Sequence, residues 1–155
     1  MNAATEFDLG PLTWVKGEID LALERADEAL RQYGSTGDRT QLKYCRTHVH
    51  QVHGALAIVG LDGVTQVTES LEGLLQGIEE GTVSATPAVA EAIAGASSAI
   101  RHYLDDLMAG ESNQPLRLLP VYQALAAARG QAAARATDLF HPDLSARPPK
   151  RTQTT

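Results

Sequence analysis

Arg39-Thr40-Gln41-Leu42-Lys43-Tyr44-Cys45-Arg46-Thr47-His48-Val49-His50-Gln51-Val52-His53-Gly54-Ala55-Leu56-Ala57-Ile58-Val59 decides how this chain is read. Leu42, Cys45, Val49, Val52, Leu56 and Val59 recur in steps of three and four, which places them on one face of a helix. The flanks punctuate it. Asp38 and Gln41 have the spacing of a capping box, and Gly60 is the expected stop.

The same spacing runs outward in both directions. Leu12, Val15, Ile19, Ala22, Ala26, Ala29 and Tyr33 form one stripe, with Pro11 at the expected first helical position. Val64, Val67, Leu71, Leu74 and Ile78 form another, with Asp62 as its expected cap and Gly81 as its end. Val89, Ile93, Ala96, Ile100, Tyr103 and Leu107 form a fourth, opened by Thr86-Pro87 and closed by Gly110. No stretch alternates with period two, so no sheet is expected. Four stripes joined by short loops predict an all-α, antiparallel four-helix bundle. Glycine breaks every heptad run within about four heptads, which argues against an elongated coiled coil. An additional C-terminal helix is expected from about Leu116 to Arg135. The expected domain spans residues 1–136. Residues 137–155 then read as a Pro-containing tail or linker, and Leu139–Leu144 as a partner motif or a segment folded back on the bundle.

The totals limit the class. The chain has 155 residues, 43% hydrophobic, with one cysteine and a formal net charge of −6. That length supports one core without disulfides or metal. The apolar runs are too short and too interrupted for membrane insertion. The start, MNAATEFDLG, has no secretory pattern. A cytoplasmic protein that avoids nucleic acid is expected from these features.

The charge is unevenly placed. Residues 39–61 carry +3 and no carboxylate, so the remainder carries −9. Arg39, Lys43, Arg46, His50 and His53 are spaced four, three, four and three along one helix face. Like charges at that spacing repel by a few tenths of a kcal/mol per pair. Gly54 lies one turn beyond His50, where glycine costs about 1 kcal/mol relative to alanine. Either a neighbouring helix packs closely there, or the imidazole is left open to another protein. Ala57 extends the small-residue patch. A metal site is not expected, because His48 points away and His50 and His53 have no carboxylate or thiolate beside them on the helix. No nucleophile elbow or phosphate-binding glycine loop is present. Trp14 and Tyr103 read as core or boundary residues.

His50-Gln51-Val52-His53-Gly54-Ala55 resembles the phosphotransfer segment of histidine-containing phosphotransfer (Hpt) domains. That pattern is His, any residue, an apolar residue, usually Lys, then Gly and a small residue. Val59-Gly60-Leu61 and Leu71-Glu72 resemble its second half. The resemblance implies that His50 is the phosphoacceptor, with His53 standing where the family usually has Lys. An imidazole is only partly charged near neutral pH, so His53 implies weaker electrostatic support than Lys. Arg39, Lys43, Arg46 and Ala57 would bind the partner, a response-regulator receiver domain with an acidic pocket. No cofactor is implied for this chain. A wider resemblance, carried by Leu12–Asp20, His48–Gly63 and Asn113–Leu118, is to the amino-terminal module of PilL/ChpA-type hybrid chemosensory histidine kinases of the type IV pilus, and to the related FimL scaffold. It implies a module of a larger kinase or scaffold that acts in twitching motility with kinase or scaffold partners. Two functions follow: phosphotransfer through His50, or an inactive pseudo-Hpt scaffold that binds receivers or polar-localisation proteins without transfer.

Overall fold

The computed structural model describes residues 8–130. Its elements are α1 (Leu9–Thr36), α2 (Arg39–Val59), α3 (Asp62–Glu80) and α4 (Pro87–Met108), then a 3-10 turn (Pro115–Leu118) and α5 (Leu119–Ala128). No strand occurs among the described residues. α1 packs on α2 and α4, and α3 packs on the same two helices, so the four close into a ring. The fold is the all-α helical bundle that the stripes predict. The expected domain boundary near 136 and the Leu139–Leu144 segment lie outside the described residues.

Each stripe turns inward. Leu12, Ile19, Leu42, Val52, Leu56, Leu71, Leu74, Ile100 and Leu104 are essentially inaccessible. Burying one such leucine contributes about 2 kcal/mol. Glycines with positive φ end three helices: Gly37, Gly60 and Gly81 at 73°, 90° and 86°. Only glycine adopts that conformation without strain.

Several local expectations are corrected. Trp14 is 85% exposed. It sits two residues from Leu12, and two steps of about 100° carry it to the opposite side of α1. Tyr103, by contrast, is buried. Asp62 is not the cap of α3. The amide of Thr65 donates to the Leu61 carbonyl at 2.9 Å, so the helix opens one residue earlier. Asp62 then occupies the first turn, where a carboxylate suits the helix dipole. α1 starts at Leu9 because Asp8 accepts from the Gly10 amide at 3.0 Å. Pro11 remains within the first turn, where no amide donor is needed. Asp38 caps α2, with its side-chain carboxylate accepting from the Thr40 amide at 2.9 Å while its backbone carbonyl accepts from the Gln41 amide at 3.0 Å. Among the described residues α5 spans Leu119–Ala128, and the expected end at Arg135 lies outside them.

Ion pairs differ between the seams. Lys16 on α1 reaches Asp105 on α4 at 2.6 Å, and Arg101 on α4 reaches Asp27 on α1 at 3.1 Å. The α2–α3 seam carries the histidines.

Candidate phosphotransfer site

His50 projects from the middle of α2 with 68% of its side chain exposed. Val49 and Val52 on either side of it are buried, which fixes the rotation of the helix. Nδ1 of His50 lies 2.7 Å from Oε2 of Glu72 on α3. Nδ1 of His53 lies 3.3 Å from the other oxygen, Oε1. The Glu72 side chain is only 17% exposed, so its carboxylate is held between the helices. A carboxylate oxygen can only accept, so Nδ1 of His50 carries the proton and Nε2 carries the lone pair. The two rings meet edge to face with centroids 6.1 Å apart.

Glu72 supplies the carboxylate that α2 lacks in sequence. His50, His53 and Glu72 each offer one ligand atom, all within 4.8 Å of one another. These are the residues that could hold a metal among those described. His48 turns away and meets Gln51 at 3.3 Å.

Gly54 is exposed, and a Cβ built there would meet nothing within 4 Å. Close helix packing therefore does not explain this glycine. The open surface continues through Ala57 to Ile58, which is 85% exposed and one helical turn beyond Gly54. His50, Gly54 and Ile58 share one line on α2.

The basic stripe has a second use. Arg39 donates to the carbonyls of Ile78 and Glu79, at the C-terminal end of α3 where a cation is favoured. Arg46 pairs with the Glu79 carboxylate. Lys43 is exposed and forms no ion pair among the described residues. So two of the three cations fasten α2 to α3.

Beside His50 an open cleft of about 410 Å³ lies between α2, α3 and α5. His50, His53, Glu69 and Glu72 bound it, with Tyr122 and Arg129 on the α5 side. Sequence reasoning noted Glu72 only as part of a family-like pair and did not find Arg129. The spacing of Leu71, one residue before Glu72, gives the signal that Glu72 borders the buried stripe.

A four-helix bundle that presents an exposed imidazole from mid-helix, with one ring nitrogen held by a carboxylate, defines a class of histidine phosphocarrier. The family model for the Hpt domain matches residues 12–110, so this chain belongs to the Hpt domain family. Such domains serve phosphorelays of two-component systems and exchange phosphate with response-regulator receivers. Comparisons with curated proteins and with solved structures find no significant match. No helix of the described residues is long and apolar enough to cross a membrane.

Proposed function

We propose that His50 is the phosphoacceptor and that Nε2 is its nucleophilic atom. The observation that carries this reading is the exposed ring whose Nδ1 is bonded to Glu72. The Nε2 lone pair attacks the phosphorus of a receiver's aspartyl phosphate. The N–P bond forms, the P–O bond to aspartate breaks, and the aspartate carboxylate leaves. The Nδ1 proton stays on the ring, so the phosphorylated imidazole carries positive charge that the Glu72 carboxylate balances. The reverse transfer uses the same contacts.

His53 supports the site by sharing the Glu72 carboxylate, which fixes the carboxylate from its other oxygen. Gly54, Ala57 and Ile58 give the receiver an unobstructed apolar approach beside the nucleophile. Lys43 is the cation for docking that no ion pair among the described residues engages, while Arg39 and Arg46 shape the surface through α3. The stretches Leu12–Asp20, His48–Gly63 and Asn113–Leu118 support a finer assignment. On that assignment the chain is an input module of a PilL/ChpA-type kinase in the chemosensory system of type IV pili and twitching motility.

The rival is a receiver-binding scaffold without transfer. It draws on His53 in place of Lys and on the engagement of Arg39 and Arg46 by α3. One experiment separates them. Purified protein is incubated with phosphorylated receivers of a pilus chemosensory system, and wild type is compared with His50→Gln. Acid-labile label on wild type alone supports transfer. Receiver binding by both proteins with label on neither establishes the scaffold.

A further inference from the structure

The family-matched part ends at residue 110, before the 3-10 turn and α5. Those later elements are built into the fold. Leu118 is 2% exposed and Leu125 is fully buried, and α5 packs on α3 and α4. Its last turn delivers Arg129, whose backbone amide bonds the carbonyls of Leu125 and Ala126 at 3.1 and 3.2 Å. The side chain then lies across Gly73, the residue after Glu72. A Cβ on Gly73 would meet Nη1 of Arg129 at 2.8 Å and Cζ at 2.9 Å. Absence of a side chain at 73 is what lets the guanidinium rest there.

Arg129 borders the same cleft as His50, and it is the one Lys or Arg among the described residues that bound it. It forms no ion pair or side-chain hydrogen bond with another described residue. A phosphoryl group on His50 brings about two negative charges into a cleft that already holds Glu69 and Glu72. Position 53 carries an imidazole, and Arg39 and Arg46 are held by the end of α3. A guanidinium presents donors in a fork that fits phosphate oxygens.

We propose that Arg129, on the helix that follows the family-matched bundle, binds the phosphoryl group carried by His50. The inference rests on His50 being the phosphoacceptor. It gives α5 a part in the site that the four-helix bundle lacks.

The test needs no partner protein. Potassium phosphoramidate phosphorylates exposed imidazoles: its P–N bond breaks, ammonia leaves, and a new N–P bond forms on the ring. The His50 signal is assigned by its loss in His50→Gln, and the phosphohistidine is then titrated by ³¹P NMR. Contact with a guanidinium lowers the midpoint of the phosphoryl group's last ionisation. Arg129→Ala is expected to raise that midpoint by roughly half a unit or more, and Arg129→Lys to recover part of the shift. Gly73→Ala is expected to act in the same direction with the charge retained, because its methyl displaces a flexible side-chain end while alanine suits the helix. An unchanged midpoint in both Arg129→Ala and Gly73→Ala overturns the proposal, as does failure of His50 to take up the label. A merely structural role of Arg129 in docking α5 changes thermal stability and leaves the midpoint in place. Absence of transfer from receivers, with the midpoint still dependent on Arg129, sinks the phosphorelay reading and leaves this contact standing.

Discussion

Nδ1 of His50 and Oε2 of Glu72 are 2.7 Å apart, and they join the exposed face of α2 to a carboxylate on α3. The two residues are 22 positions apart in sequence. Their contact decides which nitrogen of His50 is free. In the proposed transfer it also places a negative charge where the ring would become positive. Glu72 is a positioning residue in this scheme, acting on phosphate through the imidazole.

Glu72→Ala is therefore expected to slow phosphoryl transfer to His50 roughly tenfold, the usual scale for losing one charge-assisted hydrogen bond. Glu72→Gln is expected to retain part of the rate, since its amide oxygen still accepts from Nδ1. Initial rates of label transfer from a phosphorylated receiver give the comparison. Equal rates in wild type and Glu72→Ala would remove the tautomer argument. A ¹⁵N spectrum of the ring checks it separately, with the proton on Nδ1 in wild type and mixed tautomers in Glu72→Ala.

Gly54 allows stability and docking to be separated. Nothing lies within 4 Å of a Cβ placed there. Gly54→Ala is expected to stabilise the bundle by about 1 kcal/mol through helix propensity alone. Gly54→Leu is expected to keep the fold while it weakens receiver binding and slows transfer, because the new side chain rises beside His50. Thermal melts and receiver titrations on the same samples test both halves. A Gly54→Leu protein that melts far below wild type would show that the space is needed by the fold.

The apolar periodicity made the bundle legible because burial acts on every third or fourth residue of each helix. His50, with buried Val49 and Val52 on either side, could be placed on a polar face from sequence alone. Glu72 was harder: within α3 it is one carboxylate among several. Its meaning comes from the way α3 packs on α2, which spacing within one helix does not encode. The contacts of Arg39 and Arg46 are hidden for the same reason, since their partners are carbonyls and a carboxylate on α3. Trp14 was misplaced by its residue type, although its offset of two from Leu12 already pointed outward. Arg129 lies in an Ala-rich helix beyond the motif. Only the packing of α5 brings it beside His50.

Arg46 and Glu79 form a partly buried pair across the α2–α3 seam, with side chains 32% and 15% exposed. A double-mutant cycle of Arg46→Ala and Glu79→Ala is expected to give a coupling energy of about 0.5–1 kcal/mol. Urea denaturation of the four proteins measures it. A coupling near zero, together with a large loss of receiver affinity in Arg46→Ala alone, would return Arg46 to a direct docking role.

Alkaline pH is expected to weaken the fold through three groups that titrate with the same sign. Burial, helped by Asp27, pushes the Cys45 thiol from 9.0 to about 12. Burial also raises the Tyr103 hydroxyl from 10.0 to about 12, against opposing effects of Gln114 and Arg117. For Lys16 burial opposes the charge, but hydrogen bonds to Asp105 and Asp20 outweigh it and raise the ammonium above 10.5. In each case the folded state holds its proton more tightly than the unfolded chain. The stabilisation is complete below the unfolded values and is lost as pH rises through the folded ones. Urea midpoints are therefore expected to hold to about pH 9 and to fall steadily from there toward pH 12. Cys45→Ala should flatten the first part of that fall, and Tyr103→Phe the part above pH 10. The native thiol should also resist iodoacetamide at pH 8, where the unfolded protein reacts. Rapid alkylation of native Cys45 would show that the α1–α2 core opens far more readily than its packing implies.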